Sequence, residues 1–320
     1  MDHLYDGYGR EQHVPAAPRT RTSRWIGWTS MIGSLFVAGG GFTALLVAAA
    51  LFWGQHTPSP GQIAYLTQHN YWKEIRAIDL RTGIVRTIAH LANLDQMAWS
   101  ARDMLAFTVR RGENSRIATI DLHDRSMRQL TYGSSFDNNP AWSPDGQWLA
   151  FQSSSTDGVN IYVIDANGNN LRRLTNDPGF DGDPAWSPDG RRIAFRSSRG
   201  GGSDLYVMDA DGSNVQQLTE KQVRAEHPAW SPDGKHIAFA AYGATNWDIY
   251  LLEVATGEIR QLTESPARNR YPTWSPDGTR IAFESNYDGQ VGIYVIDLIS
   301  GQTTLVAKDI QGSYFPIWWP

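Results

Sequence analysis

Pro140-Ala141-Trp142-Ser143-Pro144-Asp145-Gly146 is one of four near-identical heptapeptides in a chain of 320 residues. The others start at Pro184, Pro228 and Pro272, each 44 residues after the one before. A degenerate copy, Trp99-Ser100-Ala101-Arg102-Asp103, lies 43 residues before Trp142, and its turn is one residue shorter. A last, truncated copy, Pro316-Ile317-Trp318-Trp319-Pro320, follows 44 residues after Trp274. Self-similarity at a fixed period of this length marks one supersecondary unit repeated along the chain.

The rest of the unit keeps the same phase. Ile63-Ala64-Tyr65, Leu105-Ala106-Phe107, Leu149-Ala150-Phe151, Ile193-Ala194-Phe195, Ile237-Ala238-Phe239 and Ile281-Ala282-Phe283 repeat an aliphatic-Ala-aromatic pattern. β-rich runs then end in an acid at Asp79, Asp121, Asp165, Asp209, Glu253 and Asp297. Nine residues beyond each acid stands an apolar residue: Ile88, Leu130, Leu174, Leu218, Leu262 and Val306. Each unit therefore reads as four short strands. Pro-Ala-Trp-Ser is the first, Pro-Asp-Gly a tight turn with a glycine free to take positive φ, and the aliphatic-Ala-aromatic run the second. A variable polar loop, a third strand and a hairpin into the fourth complete it. Four antiparallel strands in such a repeat predict a blade of an all-β β-propeller.

The first unit starts at its second strand, Ile63, and the last Trp strand, Ile317 to Trp319, has no unit after it. The two pieces are complementary, so the last strand is expected to complete the first blade and close a ring of six, leaving no open sheet edge. The phased Trp residues are expected to fill the space between blades. The turn acids Asp145, Asp189, Asp233 and Asp277 read as turn-formers, and Asp209-Ala210-Asp211-Gly212 as a hairpin turn without the twelfth-position Glu of a calcium loop.

No Asp, Glu, Lys or Arg occurs from Trp25 to Trp72, and Trp25 to Trp53 is almost wholly apolar or small. About 20 helical residues cross a bilayer core, so 25–53 is expected to be a single transmembrane α-helix. Arg19, Arg21 and Arg24 precede it, which places the tail 1–24 in the cytoplasm and all that follows outside. A cleaved signal peptide ending at Ala48-Ala49-Ala50 is the rival reading. Its apolar core would exceed the usual ~7–15 residues. Residues 54–60 read as a polar linker and 61–320 as the propeller.

With 28 Lys+Arg against 33 Asp+Glu, the chain lacks the basic footprint of a nucleic-acid binder. The absence of cysteine excludes disulfides and thiolate chemistry.

In propellers the loops that lead into the innermost strands crowd the central channel, where ligands bind. The two residues before each Pro-Ala-Trp position are Asp95-Gln96, Asn138-Asn139, Gly182-Asp183, Glu226-His227, Arg270-Tyr271 and Tyr314-Phe315. They vary while the scaffold repeats, as grafted specificity would. Their mixture of acids, amides, Arg and aromatics suits protein or peptide recognition. An enzyme can be drawn from the same set, with Asp95, Asn138, Asp183 and Glu226 as oxygen ligands to one Ca²⁺ in a propeller hydrolase of lactonase type. Glycan binding through the mouth aromatics is a third reading.

The unit Pro-Ala-Trp-Ser-Pro-Asp-Gly…Ile-Ala-Phe…Ile-Tyr-Val-Ile-Asp…Leu-Thr resembles the repeats of the TolB-like six-bladed propeller family, over about residues 61–320. The resemblance implies a periplasmic partner-binding protein of the cell envelope. TolB itself carries an additional N-terminal α/β domain, where this sequence has the apolar segment and a short spacer. Related propeller repeats cap serine peptidases, which need a Gly-x-Ser-x-Gly elbow. That pentapeptide does not occur in this sequence. The expectation is therefore a non-catalytic, membrane-anchored extracytoplasmic propeller that binds a protein or peptide and needs no cofactor.

Overall fold

The computed structural model describes residues 61–68, 73–91, 94–219, 223–243, 245–309 and 312–319. The predicted tail, membrane span and linker lie outside them. All regular elements among the described residues are strands, and no helix there is long and apolar enough to cross a membrane.

The strands pair in fours. β1 (Gln62–Gln68), β2 (Lys73–Asp79) and β3 (Val85–Leu91) begin the chain's first sheet. β4 (Leu94–Trp99), β5 (Met104–Arg111), β6 (Asn114–Asp121) and β7 (Met127–Gln129) form the next quartet. It is followed by β8 (Phe136–Trp142), β9 (Trp148–Ser155), β10 (Gly158–Asp165) and β11 (Arg172–Arg173). Then come β12 (Asp181–Trp186), β13 (Arg192–Ser197), β14 (Asp204–Asp209) and β15 (Gln216–Gln217). The fifth set is β16 (Ala225–Trp230), β17 (His236–Tyr242), β18 (Trp247–Glu253) and β19 (Ile259–Gln261). The last is β20 (Asn269–Trp274), β21 (Arg280–Ser285), β22 (Gly292–Asp297) and β23 (Thr303–Ala307). β24 (Ser313–Trp318) does not join that set. It pairs antiparallel with β1, Ile63 opposite Trp318 and Thr67 opposite Ser313, giving the order β24-β1-β2-β3.

One feature departs from separate quartets. A parallel bridge between Ser115 and Phe136 joins β6 to β8, so two quartets form one eight-stranded sheet. The outermost strands β11 and β15 have only two residues each, which keeps the exposed edge short.

The repeated residues explain the architecture. In the turns, Ser143, Ser187, Ser231 and Ser275 donate their hydroxyls to the carboxylates of Asp145, Asp189, Asp233 and Asp277. Each hydroxyl also accepts the backbone N–H that opens the next strand, from Trp148, Arg192, His236 and Arg280 at 2.9 Å. These bonds hold the turn carboxylates below their ordinary range, Asp277 at about 2. Gly146 takes φ +64°, and in the shortened copy Asp103 takes φ 56° in its place. The Asp209 turn closes as a hairpin, with Asp209 N–H on Ser213 O at 2.8 Å.

The core sits between neighbouring sheets. Tyr65, Phe107, Phe151, Phe195, Phe239 and Phe283 are fully buried at the centre of their strands. Trp142 packs with Ala106, Ile117 and Leu130 of the preceding quartet. Trp230, Trp274 and Trp318 donate their indole N–H to Ala185 O, Ala229 O and Thr273 O of the preceding inner strand. Trp186 is the exception among the phased rings, being only partly buried.

Candidate functional site

The inner strands share an irregularity that creates a site. In β8, β12, β16 and β20 the register slips between Asn138 and Ala141, Gly182 and Ala185, Glu226 and Ala229, and Arg270 and Thr273. Each slip skips a residue and the proline after it, which has no N–H to give to the ladder. The skipped residues Asn139, Asp183, His227 and Tyr271 all have φ 52°, and Phe315 has φ 51°. Left-handed backbone costs a non-glycine residue of order 1–3 kcal/mol, and residues before proline ordinarily stay extended. A bulge of this kind re-aims a side chain.

It aims them at one place. Gln96, Asn139, Asp183, His227, Tyr271 and Phe315 line a single cavity of about 290 Å³ at the converging ends of the inner strands. These six carry amide, carboxylate and ring side chains, and Met97, Trp99, Ile317 and the prolines that follow the bulges make the rest of the lining largely apolar. Asn139 N–H donates to Gln96 Oε1 at 3.0 Å, and its side-chain amide donates to Asp183 Oδ1. His227 N–H donates to the other Asp183 oxygen at 3.4 Å. The His227 and Tyr271 rings lie 3.9 Å apart, and Tyr271 meets Phe315 edge-on at 4.4 Å.

In five of the six predicted pairs the first residue stays in the ladder and turns away from this cavity; in β4 the slip between Leu94 and Met97 skips both Asp95 and Gln96. Asn138 pairs with Gln152, Gly182 with Arg196, Glu226 with Ala240, Arg270 with Glu284 and Tyr314 with Leu66. Glu226 binds Arg196 at 3.0 Å and Arg270 at 3.6 Å, and the Arg270 guanidinium lies 4.4 Å from the centre of the Trp247 ring. Glu226, His227, Arg270 and Tyr271 are thus brought together as the sequence suggests, but Glu226 and Arg270 form the supporting layer. Asp95 is held by Lys73 at 2.7 Å and by Arg110. Asn138 accepts the Ser115 hydroxyl at 2.9 Å. The four oxygen residues of the calcium reading therefore have separate partners. Among the described residues no cluster of three or more His, Asp or Glu is arranged to hold a metal ion.

A second layer escaped the sequence reading. Gln152, Arg196 and Glu284 each follow the aromatic residue of the second-strand motif, a position that varies from Leu66 to Glu284 around the repeats. Gln152 Oε1 accepts the Asp183 N–H at 3.1 Å. A Cβ on Gly182 would collide with that oxygen and with the Phe180 ring, so glycine is needed there. Glu284 accepts the Phe315 N–H at 3.5 Å.

Burial sets the protonation states. It pushes the His227 imidazole below its ordinary pKa, outweighing the attraction of Asp183 and Glu226, so the ring is neutral at pH 7. Burial also raises the Tyr271 phenol, and it lifts the Glu284 carboxyl to about 7. A carboxyl with a raised folded pKa binds more protons folded than unfolded, so stability falls as pH rises from about 4.5 to 7. Glu284→Gln is expected to flatten that decline and to raise the melting temperature at pH 8 by about 2–4 °C. Thermal melts from pH 4 to 8 check it, and an unchanged slope would refute it.

Strands paired in fours, with buried aromatics between the sheets and a cavity where the inner strands converge, define an all-β, propeller-like protein. The family model of the TolB beta propeller domain matches residues 139–226 and 218–320, more than half of the sequence, and the chain belongs to that family. Among solved structures, TolB from Acinetobacter baumannii superposes with a TM-score of 0.73 at 23% identity, over 81% of this chain and 66% of that one. The putative TolB from Agrobacterium tumefaciens gives 0.67 at 20% identity, over 82% of this chain and 100% of that one. An oligogalacturonate lyase in complex with manganese is also similar, at 0.55 and 17% identity over 73% and 70%. At these identities the likeness is one of fold, shared by the TolB structures and the lyase alike.

Proposed function

We propose that this chain is a membrane-anchored, extracytoplasmic ring of six blades, closed by β24, that captures a protein or peptide segment at its axial cavity without chemistry of its own. The observation that carries this reading is the set of five bulges, each forcing a non-glycine residue into left-handed backbone and each aiming it at one cavity. Five strained positions on rigid strands serve a contact surface. The ring that they and Gln96 form offers amides, one carboxylate and an aromatic arc, a composition suited to polypeptide recognition.

The anchor follows from the apolar run 25–53 and the arginines before it. β1 begins at the tryptophan end of the inner strands, where Trp319 N–H meets Gln62 O at 2.9 Å. The bulges lie at the other end of the inner strands, away from the start of β1.

The chain lacks cysteine, which makes site-directed labelling direct. In intact cells a cysteine at Ile299, which is 87% exposed, is expected to react with a membrane-impermeant maleimide, and one at Thr20 is not. A photo-crosslinker at Phe315 is expected to give discrete protein adducts that the same group at Ile299 does not give. A soluble mature form beginning near Leu51 would replace the anchor with a signal peptide. A hydrolase activity abolished by chelation, with no adduct at Phe315, would replace binding with catalysis.

A further inference from the structure

Resting on the reading of the cavity as a polypeptide site, we propose that it selects a cationic side chain, the ammonium or guanidinium of a partner's Lys or Arg, seated between Asp183 and the Tyr271–Phe315 arc. Asp183 is the only charged residue of the inner ring, beside Gln96, Asn139, His227, Tyr271 and Phe315. It is 7% exposed. A carboxylate this buried ordinarily has a cation as partner.

Here its described hydrogen bonds come from neutral donors, the Asn139 amide and the His227 N–H. Its ion-pair partner among the described residues is His227 Nε2 at 3.9 Å, on a ring that burial keeps neutral. The nearby guanidiniums are committed elsewhere: Arg196 and Arg270 bind Glu226, and Arg196 also lies 4.5 Å from the centre of the Phe180 ring. A carboxylate has room for about four acceptor contacts, so Asp183 can take a further donor.

The opposite wall supplies the second half of the argument. The Tyr271 and Phe315 rings stand edge-to-face at 4.4 Å. An aromatic face attracts a cation through its quadrupole, most strongly where water is excluded. The aliphatic stem of Lys or Arg also packs against such rings while its head reaches a carboxylate. A metal ion fits less well: it seeks about six or more oxygen ligands, and beside the one carboxylate the ring offers only the amide oxygens of Asn139 and Gln96, the latter already accepting the Asn139 N–H, opposite a wall of rings.

The test uses the full-length protein in detergent micelles and two blocked tripeptides, Gly-Lys-Gly and Gly-norleucine-Gly, which differ by one ammonium group. Calorimetric titration is expected to show the Lys peptide binding at least tenfold tighter. Asp183→Asn is expected to bring that ratio close to one. Phe315→Leu should lower Lys-peptide affinity several-fold, and it keeps the test decisive if Asp183→Asn does not fold. Equal binding of both peptides, or a ratio that survives Asp183→Asn, would overturn the proposal. Displacement of the Lys peptide by 1 mM CaCl₂ would also overturn it, reassigning the site to a metal cation. Adducts at Phe315 in cells together with equal peptide binding would leave the polypeptide site standing and remove only its charge preference. The reverse pattern, Lys selectivity without adducts, would remove the polypeptide site.

Discussion

Deleting residues 313–320 is expected to produce the largest loss of stability of any change considered for this chain. β24 supplies the innermost strand of a sheet whose other strands, β1, β2 and β3, come from the opposite end of the sequence. Without it, the inner edge of β1 from Ile63 to Thr67 loses its ladder and becomes an unpaired edge. Trp318 is 4% exposed, donates its indole N–H to Thr273 O at 3.1 Å and carries the Arg280 guanidinium 5.0 Å from its ring centre. It packs in one cluster with Ile63 and Tyr65 of β1 and Ile293 and Val295 of β22, so it joins the first and last sheets. Trp318→Ala alone should cost about 3–5 kcal/mol, as large-to-small changes in a packed core do. Urea and thermal unfolding of full-length, truncated and Trp318→Ala proteins measure this. A truncated protein that melts at the wild-type temperature would refute closure by β24.

That pairing was readable in the sequence because a repeat carries its own register. Once Trp142, Trp186, Trp230 and Trp274 fix the first strand, a second strand at Ile63 without a Trp before it and a Trp strand at 318 without a sheet after it name each other as partners. The turns were readable for a local reason: Ser, Asp and Gly at fixed offsets close the Ser–Asp hydrogen bond and supply positive φ within five residues.

The site was legible only in part. Residue pairs such as Glu226-His227 and Arg270-Tyr271 stand out as variable, but successive strand residues face opposite sides. Which of the two meets the cavity depends on where the strand slips, and the slip follows from strand pairing across the sheet. The proline after His227 and Tyr271 was the available clue, because it cannot hold its place in the ladder. Gln152, Arg196 and Glu284 were missed because they sit inside the most regular strand, where a variable residue reads as a solvent-facing one. Burial, which decides the charge of His227 and Glu284, has no local signature.

The division between cavity and supporting layer sets the second large effect. Tyr271→Ala and Phe315→Ala should each weaken capture of the partner by about 2 kcal/mol, since aromatic residues in desolvated pockets dominate contact energies. The double variant should abolish adduct formation from an unaltered cavity position such as Gln96 while the protein still unfolds cooperatively, at a lowered midpoint because Phe315 also packs against the core that holds Leu66, Leu94 and Trp99. Arg270→Ala should behave differently from what its place in the sequence suggests. It removes the ion pair to Glu226 and the contact with Trp247, and both lie behind the cavity. The expected result is a loss of about 1–2 kcal/mol of stability with capture largely intact. Unfolding midpoints and crosslinking yields measured on the same membranes separate the two. Normal capture by the Tyr271/Phe315 double variant, with lost capture and an unchanged midpoint for Arg270→Ala, would move the contact surface to the outer side of the bulges.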